Sequence, residues 1–318
     1  MPISWYPGHM RKARRELAAL LRGAKLALEV LDARIPAASA NPLLSQLRGE
    51  LPVVRVLNKS DLADPARTAA WLSYYGGSFG GDFSEGSGLT CLANGRDAPL
   101  KPDRLLGVID RLGGGSPTRI GGRGEIAIIG IPNVGKSSLL NQLSGRKLAK
   151  TGNTPALTRV QQAAPFAENW RLIDTPGMLR PKLEDQRGAG LMACVGSIGA
   201  KALDIETVAG FLADCLLAGH RPALVERYGL TPEVHTAEAL FDTIANSRGA
   251  RRKGGGADLE RAAEILLGDF RAGRLGRITL ESPPANDPET ETGLEAETRP
   301  EPKPDPSSNP KLKSRQTP

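Results

Sequence analysis

Three short runs in this chain carry residue types that could handle a nucleoside triphosphate. Gly130-Ile131-Pro132-Asn133-Val134-Gly135-Lys136-Ser137 matches the pattern G-x-x-x-x-G-K-[ST]. Glycines at those positions let the backbone curl so that several N–H groups point at a phosphate, and a helix starting there adds positive potential. Lys136 would reach the β- and γ-phosphates, and the Ser137 hydroxyl would ligate Mg²⁺. Asn133, Val134, Gly135 and Ser138 complete the run of nucleotide-contacting positions. A glycine-rich turn is the simpler reading of the same residues. The flanks argue against it, because the motif follows an apolar, strand-like run at 126–129 and opens a helix-like run at 138–143.

The choice of base rests on a second run. Val53-Val54-Arg55-Val56-Leu57 reads as a buried strand and leads into Asn58-Lys59-Ser60-Asp61, a match to N-K-x-D. A carboxylate at Asp61 can accept two hydrogen bonds from guanine N1–H and the N2 amino group. Adenine lacks that donor pair and would leave the charge desolvated, so rejection can reach roughly 10⁴-fold. Asn58 would contact the other edge of the base and brace the phosphate loop, and the Lys59 stem would cover the ring. The third run, Leu172-Ile173-Asp174-Thr175-Pro176-Gly177, ends a strand in D-x-x-G. Asp174 would hold Mg²⁺ through water, and the Gly177 N–H would sense the γ-phosphate; a type II turn is the structural alternative. Between these runs, Thr158 is chosen over Thr151 and Thr154 as a further Mg²⁺-binding hydroxyl in a switch segment.

The order of the pieces is unusual, since N-K-x-D precedes the phosphate loop. The same parallel sheet can form if the chain starts midway and the ordinary ends are joined. Gly113-Gly114-Gly115-Ser116-Pro117, with Gly121 and Gly122, supplies a flexible joint at the required place. Leu89-Thr90-Cys91-Leu92-Ala93-Asn94 reads as a last strand plus a short base-contacting loop, in which the Ala93 N–H would meet guanine O6.

With Trp5-Tyr6-Pro7-Gly8-His9-Met10, Asp32-Ala33-Arg34-Ile35-Pro36 and the permuted order added, the chain resembles the circularly permuted ribosome-biogenesis GTPases of the RbgA/YlqF family over roughly residues 1–275. The resemblance implies GTP hydrolysis coupled to late maturation of the large ribosomal subunit, with its rRNA and ribosomal proteins as partners. It also implies a Rossmann-like G domain followed by a small all-helical RNA-binding domain. Two departures stand out: Pro155-Ala156-Leu157-Thr158 lacks a glycine often found in that switch, and 76–88 reads as an enlarged loop.

Composition agrees with an anionic partner. The 318 residues carry a net charge of +7, enough length for two domains, and only three cysteines with no C-x-x-C pair. That set argues against a disulfide framework and a zinc site. No apolar run approaches the ~20 residues of a membrane span and no signal-peptide core is evident, so the expected location is the cytoplasm. The protein is expected to be monomeric and free of membranes.

The elements that must position these residues alternate. Helical spacing at 11–22, 42–47, 65–75 and 104–112 interleaves with strands, which predicts an α/β fold with a doubly wound parallel sheet. After Gly177 the pattern turns helical. Val208, Phe211, Leu212, Cys215 and Leu216 make one apolar stripe; Ala237, Leu240, Phe241 and Ile244 a second; Leu259, Ala262, Ala263, Leu266 and Phe270 a third. The expected division is a G domain at 1–195 with an N-terminal basic helix, a helical RNA-binding domain at 196–280, and a disordered tail at 281–318. Between the second and third stripes, the Arg251-Arg252-Lys253 loop could neutralise RNA phosphates, or could be a merely soluble loop.

The hydrolytic group is the hardest to place. Met178 follows D-x-x-G where Ras-like enzymes carry a water-positioning glutamine. Through the resemblance, His9 becomes the candidate for directing water and Asn133 for coordinating K⁺. A lone histidine near a helix start is otherwise an N-cap or an RNA contact. Two other classes stay open: a nucleotide-gated RNA-binding module without turnover, and a tRNA- or signalling-related GTPase using the same G domain.

Overall fold

Six short runs rich in Ile, Val, Leu and Ala form one sheet in a computed structural model that describes residues 9–76, 91–113, 124–146, 162–167, 169–179, 185–199, 204–252, 254 and 256–284. The strands are β1 (Leu26–Asp32), β2 (Val53–Asn58), β3 (Cys91–Asn94), β4 (Gly124–Ile129), β5 (Gln162–Ala167) and β6 (Trp170–Asp174). Their spatial order is β3-β2-β1-β4-β6-β5. All pairs are parallel except β5 with β6, and β5 is an edge strand the sequence reading did not anticipate. Every residue of β1 is buried, as a strand covered on both faces must be.

Helices supply the cover. On one side α1 (His9–Gly23) lays Leu17 and Leu21 against Ala27, Ala127, Ile129 and the first turns of α3 (Pro42–Arg48). Near the β2–β3 edge, α4 (Pro65–Tyr75) inserts Trp71 against Leu31, Leu57 and Cys91. The α2 (Pro36–Ser39), α5 (Pro102–Gly113) and α6 (Lys136–Ser144) helices complete the alternation that sequence spacing predicts. Proline at the first helical turn of α2, α3 and α4 fits a position with no N–H to satisfy. The C-terminal ends of β1, β2, β3, β4 and β6 deliver Asp32, Asn58, Asn94, Gly130 and Asp174 to one edge of the sheet. In open parallel sheets that edge is where ligands bind.

Beyond the sheet, α7 (Gln186–Cys194), α8 (Ile205–Gly219), α9 (Arg221–Tyr228), α10 (Ala237–Arg248) and α11 (Leu259–Ala272) pack as a helical layer. Val208, Leu212 and Leu216 of α8, Leu240, Phe241 and Ile244 of α10, and Ala262, Ala263, Leu266 and Phe270 of α11 are all buried, as the three stripes require. Asp204, Thr236 and Asp258 cap α8, α10 and α11 by accepting from the N–H groups of Thr207, Ala239 and Arg261. The described residues up to Pro283 form one compact unit, and its core includes residues on both sides of position 195/196.

The chain after α11 returns to the sheet. Ile278 N–H donates to Leu62 O (3.0 Å) and Leu280 N–H to Arg34 O (2.8 Å). Glu281 accepts from the N–H groups of Ala37 (2.8 Å) and Ala38 (3.0 Å). Glu281 is therefore packed against the sheet side, its carboxylate satisfying backbone donors of α2. Residues 285–318 lie outside the described residues. No single described helix is long and apolar enough to cross a membrane; α8 and α9 pass that test only as a pair bent by 109°.

Candidate nucleotide-binding site

The phosphate half of the site is contiguous chain. Asn133 (φ +61°) and Gly135 (φ +98°) adopt left-handed backbone conformations that curl the loop between β4 and α6. A Cβ at Gly135 would collide with the Asn58 side-chain amide, so glycine is required by packing as well as by backbone. Lys136 is buried at the start of α6, and its Nζ donates to Ile131 O (2.8 Å) and Gly130 O (3.2 Å). Burial pulls its pKa down to about 8, against the opposing pull of Asp174. An amine in that condition gains from a phosphate, which would replace the water it has lost. Ser138 is exposed on the next position of the helix.

D-x-x-G meets this loop from β6. Thr175 Oγ1 donates to Ile128 O (2.7 Å), and Gly177 lies so close to Pro132 that an added Cβ would sit 2.7 Å from its backbone. Met178 is core: it packs under the sheet with Ala127 and Ile129, and its carbonyl accepts from Asn41 Nδ2 (2.8 Å). It holds the strand end in place and presents nothing to water.

The residues fit Mg²⁺. Ser137 Oγ donates to Asp174 Oδ2 (2.5 Å), while Asp174 Oδ1 is buried with no hydrogen-bond partner among the described residues. Burial raises the Asp174 pKa, and the Ser137 bond and the Lys136 charge oppose that shift. A cation near Ser137 and Asp174 would remove the cost of the unpaired oxygen. No group of three or more His, Cys, Asp or Glu side chains occurs among the described residues that could hold a metal unaided. Thr158 lies outside the described residues.

The base half is assembled from several elements. Asn58 Nδ2 donates to Val134 O (2.6 Å), and Asn94 Nδ2 donates to Asn58 Oδ1 (2.7 Å). Asn94 Oδ1 in turn accepts from Leu100 N–H (2.8 Å) and Gln142 Nε2 (2.9 Å). The bracing expected of Asn58 is present, with Asn94 as a second brace. Lys59 (φ +59°) donates to Asn133 O (2.7 Å), so its stem crosses between the base-reading loop and the phosphate loop. Ala93 lies in β3 opposite Leu57, one residue before Asn94. The residues against Asp61 are Gly95, where a Cβ would sit 2.8 Å from Asp61 N, and Arg96, whose Nε donates to Asp61 Oδ2 (2.9 Å).

Sequence reading named the Asp32–Pro36 run without giving it a task. Asp32, fully buried, accepts three hydrogen bonds from Arg34 (backbone N–H 3.1 Å, Nε 2.9 Å, Nη2 2.8 Å) and one from Lys59 Nζ (2.8 Å). Burial alone would raise the Asp32 carboxyl pKa, but the Arg34 and Lys59 charges hold it well below the usual range. Arg34 lies 5.2 Å over the Phe270 ring of α11. From the other side, Asn133 Nδ2 donates to Gly196 O (2.6 Å) just after α7, and Arg271 donates to Cys194 O and Ala193 O (both 2.8 Å). Both routes from the nucleotide loops thus end on neighbouring residues of α11. A carboxylate two residues from an arginine at the end of a buried strand was the available signal. The backbone of His9 opens α1, and its side chain lies outside the described residues.

A braced phosphate loop, D-x-x-G against it and N-K-x-D alongside, on the carboxyl edge of a parallel sheet, define a P-loop GTPase. Residues 125–209 match the family model described as 50S ribosome-binding GTPase. The chain is 35% identical over 289 residues to ribosome biogenesis GTPase A of Priestia megaterium, covering 89% of this chain and 98% of that protein. The Bacillus cereus protein of the same name is 34% identical over 289 residues, 89% of this chain and 95% of that one. Among solved structures, GNP-bound YlqF from T. maritima superposes with a TM-score of 0.59 at 23% identity, covering 86% of this chain and 99% of that one. The chain belongs to the ribosome biogenesis GTPase A family.

Proposed function

We propose that this chain is a GTP-hydrolysing assembly factor for the large ribosomal subunit, bound to rRNA in its GTP state and released after hydrolysis. The observation that carries this reading is the base-reading loop tied to the phosphate loop through Asn58 and Lys59, in a chain similar to ribosome biogenesis GTPases over 89% of its length. Read from β4 to the end and then from the start, the sheet order is that of an unpermuted GTPase; the proposal is that the chain is a circular permutant. Residues 1–195 would form the G domain and 196–280 the RNA-binding part. The location would be the cytoplasm and the working form a monomer.

In this mechanism Asp61 reads guanine N1–H and N2, and the Ala93 N–H meets O6. Lys136 and the loop N–H groups hold the β- and γ-phosphates. Ser137, Asp174 and Thr158 would hold Mg²⁺, which neutralises phosphate charge when bound. Asn133 is the proposed K⁺ position. Met178 has no hydrogen-bonding group for water, so the water-directing group comes from elsewhere, with His9 in that role once the protein sits on the subunit.

Sedimentation with large subunits tests the reading. Co-sedimentation is expected with a non-hydrolysable GTP analogue and much weaker with GDP; equal or absent binding in both states would overturn it. His9→Ala should leave binding intact and lower subunit-stimulated turnover by roughly 10²-fold. Normal stimulated turnover returns His9 to a structural role.

A further inference from the structure

Past α11 the chain runs as a short strap between two loops at the carboxyl edge of the sheet, with Ile278, Thr279 and Leu280 all buried. On one flank lies the segment that directly follows N-K-x-D. Ile278 N–H donates to Leu62 O (3.0 Å), and Asp64 N–H donates to Thr279 Oγ1 (3.0 Å). On the other flank lies the turn after β1. Leu280 N–H donates to Arg34 O (2.8 Å), and the Thr279 hydroxyl donates to Ala33 O (3.4 Å). One step earlier in the strap, Arg277 Nη2 donates to Asp97 Oδ2 in the turn after β3. Glu281 anchors the far end on the N–H groups of Ala37 and Ala38. The end of α11 adds a close contact, since a Cβ at Gly273 would sit 2.7 Å from Leu62 Cδ2. Arg277, Ile278, Thr279 and Leu280 thus each bond to a loop that follows β1, β2 or β3.

Those loops are the ones that surround Asp61. Its side chain is only 12% exposed, Arg96 meets it from the β3 turn, and a Cβ at Gly95 would sit 2.8 Å from Asp61 N. Arg34 holds Asp32, which in turn holds Lys59. We infer that the strap at 277–281 positions the guanine-reading loop, with Thr279 as its principal positioning residue. By joining 33–34 to 62–64, it fixes where the Asp61 carboxylate stands. The inference rests on the reading of Asp61 as the guanine acceptor, and it places a determinant of base choice 215 positions from the Asp64 N–H that it braces. A carboxylate reads N1–H and N2 together only if both bonds are well aligned, so a shift of about 1 Å loses part of the base contact. Apolar anchoring does not account for the strap by itself. Ile278 and Leu280 supply that anchoring, whereas the buried Thr279 hydroxyl bonds to two loops at once.

The test uses the full-length protein and competition of GDP, inosine diphosphate and a non-hydrolysable GTP analogue against a fluorescent nucleotide. Inosine lacks the N2 amino group, so the parent should favour GDP over inosine diphosphate by roughly tenfold or more. Thr279→Val keeps the side-chain shape and removes the hydroxyl, and that preference should fall by roughly fivefold. The ratio of analogue to GDP affinity should stay as in the parent, because the phosphate half of the site is untouched. Thr279→Ser, which keeps the hydroxyl, should restore the preference. Arg277→Gln removes only an exposed ion pair, so it should melt like the parent and lower the preference by about twofold. A parent that does not favour GDP overturns the reading of Asp61 itself. Where the parent does favour GDP, three results overturn the strap: Thr279→Val keeps the preference, it weakens all three nucleotides alike, or Thr279→Ser is as impaired as the valine variant. If Thr279→Val does not fold, an unchanged preference in Arg277→Gln overturns it.

Discussion

The two halves of the nucleotide site are built in different ways. The phosphate half is one unbroken stretch whose shape follows from its own backbone: left-handed Asn133 and Gly135, then a helix start at Lys136. The base half takes Asp32 from β1, Asn58 from the end of β2 and Lys59 just after it, Asn94 from β3 and Gln142 from α6, and links them through side chains. Damage should therefore stay local in the first half and spread in the second.

Lys136→Ala breaks the comparison most sharply. It should weaken triphosphate binding by roughly 10³-fold with little change in unfolding temperature, because the residue's bonds are to carbonyls at the site edge. Fluorescent-nucleotide titration and a melt read both quantities; retained affinity would mean the wrong loop has been assigned. Asp32→Asn should do the reverse. It leaves the buried Arg34 and the partly exposed Lys59 short of their counter-charge, so a stability loss of about 3–5 kcal/mol is expected in urea unfolding, accompanied by weaker binding of any nucleotide. A stability loss below about 1 kcal/mol would remove Asp32 from the brace.

Asp61→Asn sharpens the contrast within the base half. Its only described partner is the exposed Arg96, so folding should be nearly unaffected. Guanine affinity should fall by about 2–4 kcal/mol and xanthine should be favoured, since its C2 carbonyl suits an amide donor. Competition between GTP and XTP measures this. A smaller effect follows from the lowered pKa of Lys136, about 8 in the nucleotide-free protein. Below that value the amine is already charged and binding is proton-neutral. Above it a proton must be taken up with the triphosphate, so affinity should fall by up to about tenfold per pH unit. Calorimetry at pH 9 in buffers of different ionisation enthalpy would detect that proton, and Arg in place of Lys136 should abolish it. The smallest effect belongs to Arg96→Gln. Freed from an 82%-exposed partner, Asp61 should bind guanine the same or a few-fold tighter; a large loss would give Arg96 a direct role at the base.

Sequence by itself determined the phosphate loop, D-x-x-G and N-K-x-D, the alternation of strands with helices, and the helical stripes after Gly177. Each of these depends on contiguous residues or a fixed period, so its geometry is implied by the chain itself. It also exposed Met178 as unable to direct water, although only packing revealed that Met178 belongs to the core under β4. Tertiary structure decided what sequence left open. The register of β3 against β2 set Asn94 beside Asn58, and the turn after β3 brought Arg96 to Asp61. Crossover connections brought Asp32 to Lys59 and Arg34 to Phe270 of α11, and returned Glu281 to α2. Those contacts join residues up to 244 positions apart. Their formation depends on how the sheet edge and the helical layer close on each other, which no local spacing encodes.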